Sequence, residues 1–384
     1  MRWLPRLSAG GKSLALAAVV LYACGVALGY RPLLALAVAA VAGLVAGALF
    51  SSWRPRLRLA RSFFPRSVTA GEPAVALLEV DNRSRWPSAP LTVIDRVGSD
   101  DTRLAVRAIR PGGHALVRYP LPTRRRGRIP LGPLRVERSD PLGLTSSAQD
   151  HGHDDLLWVH PRTWPMAAPP AGFVVDLEGP VSESALQGSL TFSSLREYAP
   201  GDDRRLIHWR SSARLDQLMV RQYVDTNEPT GTVVLDTRSH LWTEDSFEDG
   251  VEVAASVAAG LEAEGHTVKV HIVGLPASRA RRLGAVTVAD RLAAAGRVES
   301  AGPAELVSLA VGRSGRGSLV VVSGLLEPAI ELMLSRVAHQ YSTLIVCSVV
   351  PGVPAVWRRR RGVTVVRGPS ARALAWAWNR MNRQ

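Results

Sequence analysis

Cysteine and lysine are the scarce residues of this chain. Only Cys24 and Cys347 are present, far apart and each inside an apolar run. That excludes a disulfide framework and a thiolate zinc site, and leaves two small hydrophobes that suit a reducing compartment. Lysine occurs only as Lys12 and Lys269, so the formal net charge of +14 is carried by arginine. Aromatic residues make up 6% of the chain and do not alternate with the arginines as base-stacking platforms would, which argues against a nucleic-acid partner. No GxSxG elbow, HExxH pair or phosphate-binding loop occurs. "GGKS" (Gly10–Ser13) lacks the glycine such a loop needs, because Arg6 stands there.

What is present begins with two uncharged runs, Ser13–Tyr30 and Leu33–Phe50, separated only by Arg31-Pro32. Each has 18 residues, enough to cross a bilayer core as a helix that satisfies its own backbone polar groups. Proline after arginine breaks the helix, and the abundant Ala and Gly let two helices approach closely. The reading is a transmembrane hairpin, residues 1–52 with its basic flanks. Arg2, Arg6 and Lys12 precede it, and Arg54, Arg56, Arg58, Arg61 and Arg66 follow, against Arg31 alone in the turn. Positive flanks stay inside, so both termini and the rest of the chain are expected in the cytoplasm, at the plasma membrane. The flanking arginines are expected to meet anionic lipid heads.

Residues 53–165 change texture. Short alternating or apolar runs, punctuated by "DNRS", "PGG" and "GP", predict an antiparallel sandwich. "DHGHDD" (Asp150–Asp155) offers imidazoles and carboxylates but no recognised ligand spacing, and reads as a polar hairpin loop. Residues 166–229 form a connector. From 230 to 384, near-continuous apolar strands alternate with helical stretches, predicting an α/β domain with a mostly parallel sheet covered on both faces. Sites in such folds lie beyond the carboxyl ends of the strands, where Asp236 follows "TGTVVL".

The connector carries "REYAPGDDRRLIHWRSSARLDQLMVRQY". Together with the hairpin and "RRGRIPLGPLRVERSDPLGL", it resembles the bacterial "domain of unknown function 58" membrane proteins over essentially the whole chain. The resemblance implies a C-terminal domain similar to the von Willebrand factor A fold. It also implies a MoxR-type AAA+ ATPase as partner and, in some cases, a neighbouring transglutaminase-like membrane protein. The A-type metal site needs an acid followed by two hydroxyls at alternate positions, and a later Asp. In "DTRSH", Asp236 matches, but Arg238 and His240 stand at the hydroxyl positions and Gly324 at the later acid. A hard cation needs several oxygens, so no metal or cofactor is expected, and Arg238 is placed to set its guanidinium against Asp236.

Within the motif, Gly201, Asp202 and Asp203 are expected to end a loop and cap a helix from Arg204 to Arg214. Arg205 and Trp209 would share one face of it, and Arg210 and Arg214 another, before a strand carrying Arg221. Two roles stay open: an interdomain clasp around a buried Trp209, or an arginine dock for carboxylates or phosphates. The expected function is a membrane-anchored cytoplasmic adaptor. The alternatives are a hydrolase with an unrecognised site and a polyanion or anionic-lipid binding module.

Overall fold

The computed structural model describes residues 6–52, 56–152, 154–169, 190–199, 207–225, 230–311 and 317–383. Elements follow in chain order. β1 (Arg6–Leu7), α1 (Ala9–Leu28) and α2 (Arg31–Ser52) come first. Then come β2 (Leu57–Phe64), β3 (Ser67–Thr69), β4 (Val75–Asn82), β5 (Leu91–Val97), β6 (Asp100–Val106), β7 (His114–Pro120), β8 (Gly127–Ser139), β9 (Thr145–His151) and β10 (Asp155–His160). β11 (Leu190–Glu197), α3 (Trp209–Leu215) and β12 (Met219–Asp225) lead to β13 (Thr230–Leu235), α4 (Glu244–Ala263), β14 (Thr267–Ile272), α5 (Ala277–Arg282), α6 (Val288–Ala293) and α7 (Pro303–Val311). β15 (Ser318–Ser323), α8 (Pro328–Val337), β16 (Thr343–Val349), β17 (Val356–Arg360), β18 (Val363–Gly368) and α9 (Ala371–Met381) complete the chain.

The chain divides into two compact units: residues 1–162 with 289–294, and residues 163–288 with 295–384. In the first, α1 and α2 are both long and apolar enough to cross a membrane. Ser8 caps α1 by accepting from the Gly11 amide, and Gly29 ends it at φ 62°, where glycine carries no Cβ penalty. Strands β2–β4–β7 form a small antiparallel sheet. The larger sheet has seven strands, with the long β8 pairing β5, β9 and β10. Leu78 and Val80 from the small sheet and Val93, Leu131, Val136 and Leu157 from the large one are fully buried in one core. "DHGHDD" is not the hairpin loop expected from the sequence: β9 ends at His151 opposite Leu134 of β8 and β10 opens at Asp155 opposite Leu131 of the same strand, so both run antiparallel along β8 and Gly152, at φ 85°, lies in the break between them.

A charged bridge crosses this core. Arg61 on β2 donates to Asp95 on β5 at 2.7 Å and to Asp155 at 2.8 Å, and the Tyr119 hydroxyl donates to Asp95. Burial pushes the Asp95 carboxyl above the usual range, against the pull of Tyr119 and Arg61.

The second unit holds a six-stranded sheet in the order β14-β13-β15-β16-β18-β17, parallel except for the edge strand β17. Every residue of β15 is buried, as expected for a central strand covered on both faces. Leu319, Val321, Leu334, Leu344 and Val346 build one side of its core. Helix α4 starts two residues before the "SFEDG" run, because Thr243 caps it in a reciprocal box with Ser246. β11 and β12 pair separately as an antiparallel ribbon.

Candidate functional site

The strand order reverses at β13: the chain moves from it to β14 on one side, then crosses back to β15 on the other. Crevices at such switch points, beyond the carboxyl ends of the strands, are the usual ligand sites of open α/β sheets. Asp236 directly follows β13, and Ser323 ends β15 beside it. Asp236 is fully buried, and its amide is held by the Val322 carbonyl at 2.8 Å.

Four donors fill the Asp236 carboxylate. Oδ1 accepts from the Arg238 backbone amide at 3.2 Å and from its Nε at 3.1 Å. Oδ2 accepts from Arg238 Nη2 at 2.8 Å and from the Ser323 hydroxyl at 3.0 Å. The other end of the guanidinium, Nη1, donates to Glu327 at 2.8 Å. Burial alone would depress the Arg238 pKa, but the hydrogen bonds and charges of Asp236 and Glu327 outweigh it and raise it. The Arg238 side chain is only 3% exposed, so its fixed positive charge is built into the site. Trp242 supports the same turn from below, donating Nε1 to the Asp236 carbonyl at 2.8 Å.

The outer rim is wetter. His240, on the 3-10 turn Ser239–Leu241, is 61% exposed at its side chain and stands 3.7 Å from Glu327. Gly324 follows β15 and brings no side chain to the crevice. Leu325 next to it is 60% exposed.

The connector motif differs from the sequence expectation in two respects. The helix spans Trp209–Leu215 rather than starting at Arg204, and His208 is its cap, accepting from the Ser211 amide through Nδ1 at 3.2 Å. Trp209 is 67% exposed and anchors no core. It sits in the first turn of a seven-residue helix whose one buried residue is Ser212. A helix this short covers little with any face, and the expectation of a buried Trp209 is therefore corrected. Arg210 and Arg214 are exposed on the same helix. Arg221 lies on β12 in register with Leu195 of β11. Gly201, Asp202, Asp203 and Arg205 lie outside the described residues.

Sequence reasoning named Asp236 and Arg238 but missed Ser323 and Glu327. Ser323 lies 87 residues from Asp236, and only the strand order makes the two neighbours. Glu327 precedes Pro328, which starts α8. That Glu-Pro step was the readable sign of an acid held at a helix entrance.

Comparison with known proteins places this site in a matched region. The family model described as "Protein of unknown function DUF58" matches residues 194–351, which contain α3, Asp236, Arg238 and Glu327. The uncharacterized protein YeaD of Bacillus subtilis is 29% identical over 143 residues, covering 34% of this chain and 33% of that protein. The chain thus matches about a third of that relative's length. Among solved structures, a CARDB domain from Pyrococcus furiosus aligns with 27% of this chain and 93% of its own, at 11% identity and TM-score 0.21. E. coli alpha-2-macroglobulin aligns with 74% of this chain and 17% of its own, at 12% identity and TM-score 0.20. Likeness at that level carries no argument about fold or activity.

Proposed function

Through residues 194–351 the chain belongs to the DUF58 family of unknown function, and from that premise we propose that it is a membrane-anchored adaptor whose α/β domain docks a protein partner. The observation that carries this reading is the filled carboxylate of Asp236. A cation held there would need open oxygens, and each oxygen of the carboxylate already accepts from two donors. Arg238 stands in for the ion as a permanent charge in a von Willebrand factor A-like domain. What remains at the switch point is a finished surface: exposed Leu325, flanked by His240 and Glu327. An apolar side chain rimmed by polar groups suits protein recognition better than turnover of a small molecule.

The partner proposed from the family resemblance is a MoxR-type AAA+ ATPase. The hairpin is the anchor, and the arginine flanks put the sandwich and the α/β domain in the cytoplasm. The shared attachment supports a hairpin with both ends on one side. β1, before α1, pairs with β9, and Ser51, at the end of α2, bonds Thr145 of that same strand at 2.6 Å. The test is capture of the full chain from its own membranes in mild detergent, with the ATPase detected by mass spectrometry. Leu325→Asp should fold and lose the ATPase. Capture of the ATPase undiminished by Leu325→Asp would remove this surface from the interface, and turnover of a small substrate by the pure protein would replace the reading altogether.

A further inference from the structure

The turn between β8 and β9, Asp140–Leu144, is gripped by both helices of the hairpin. Ser8 donates its amide to the Leu144 carbonyl at 2.9 Å and its hydroxyl to the Gly143 carbonyl at 2.6 Å. Gly11 approaches so closely that a β-carbon there would stand 2.0 Å from the Leu144 oxygen. On the other helix, the Thr145 hydroxyl lies 2.9 Å from the Gly47 carbonyl oxygen, and a β-carbon at Gly47 would stand 3.3 Å from the Asp140 carboxyl. The turn is internally braced as well. Asp140 accepts from the Leu142 amide at 2.8 Å and from the Thr145 hydroxyl at 2.9 Å.

This grip fixes the depth of the turn. On α2, sixteen residues (Arg31–Ala46) precede the first one it touches; on α1, seventeen (Lys12–Leu28) follow the last. At ~1.5 Å per residue these stretches reach roughly 24–26 Å. The hydrocarbon core of a bilayer is about 30 Å thick, and about 40–45 Å with the headgroups. A hairpin that crosses the core therefore draws the turn down into the interfacial layer. The side chains at that level match the medium. Leu142, at the tip, is 72% exposed; Leu49 is 68%, Leu7 44% and Phe50 36%. The one charge of the turn, Asp140, is 4% exposed and faces inward.

We propose that Pro141–Gly143 is a third membrane contact, with Leu142 entering the boundary between headgroups and acyl chains of the leaflet the sandwich faces. The occupant of this surface is phospholipid. The proposal rests on the hairpin spanning the bilayer, as proposed above. It adds that the sandwich is seated on the membrane by a second, separate element, so that its orientation is set and it does not swing from a tether.

The test uses the full chain with Cys24→Ser and Cys347→Ala, carrying one new cysteine at a time for an environment-sensitive fluorophore. The sites are Leu142, Val41 in the middle of α2 and Leu116 on the sandwich. Each is reconstituted in vesicles of phosphatidylethanolamine and phosphatidylglycerol. At Leu142, emission should shift to the blue relative to Leu116. Quenching by aqueous iodide should be several-fold weaker, and quenching by a nitroxide near the lipid headgroup should be strong. At Val41, a nitroxide near the acyl-chain end should quench best. A lipid-quenched Val41 with a water-exposed Leu142 overturns the third contact and leaves the span intact. A water-exposed Val41 overturns the span itself, and the third contact with it.

Discussion

A β-carbon at Gly324 would stand 2.0 Å from the carbonyl oxygen of Leu241, an oxygen that also accepts the Leu325 amide at 3.2 Å. The position expected to hold a metal-binding acid is thus closed by backbone. Gly324→Ala should cost about 1–3 kcal/mol, and Gly324→Asp more. Denaturant titration measures both. A stable Gly324→Asp protein that bound Mg²⁺ would contradict this account.

Arg238 and Asp236 form a buried pair, and removing one partner of such a pair strands the other. Arg238→Ala should destabilise the protein by about 3–5 kcal/mol. Asp236→Ala should cost a similar amount, and the double variant less than the sum of the two. Calorimetric titration of the native protein with Mg²⁺ or Mn²⁺ should give no saturable heat that depends on Asp236.

Trp209 supplies surface instead of core, so Trp209→Ala should change stability by no more than about 0.5 kcal/mol. If α3 takes part in docking, the same variant should lose partner in the capture experiment. A large drop in melting temperature would show that Trp209 is covered in the intact protein.

Asp140 gives a pH test. Burial pushes its pKa up, but the Thr145 amide and hydroxyl and the Leu144 and Leu142 amides outweigh that and hold it below the usual value of about 3.9. A depressed carboxylate stabilises the fold above its unfolded pKa. That contribution is lost as pH falls through the folded value. Melting temperature should therefore fall with pH below about 4, and Asp140→Asn should flatten that limb while lowering stability at neutral pH.

Topology can be read with reporters. A periplasm-active enzyme fused after Gln384 should be inactive, and one active only in the cytoplasm should work. Strong periplasmic activity would invert the placement of both units.

How legible these features were depended on range. The hairpin needed only local information: two uncharged runs and a proline. Arg238 beside Asp236 was also a local relation, two residues apart on one turn. Ser323 and Glu327 were hidden because the order of strands brings them in from more than 80 residues away. Trp209 misled for a different reason. A large apolar residue in a dense charged stretch suggests a core, but burial depends on what a seven-residue helix can lean against. His208, not an aspartate, caps that helix, since its ring nitrogen reaches the Ser211 amide as a carboxylate would.

The pairing of Arg6–Leu7 with Thr145–Ser146 has a practical consequence. Arg6 and Leu7 finish one end of the border of a sheet whose remaining strands lie much later in the chain. A soluble fragment begun at Leu57 would leave β9 without that neighbour, its row of amides and carbonyls open to any passing strand. Such fragments would tend to stick to one another edge to edge. Keeping the leader strand, or grafting a short peptide in its place, is the route to a well-behaved water-soluble form.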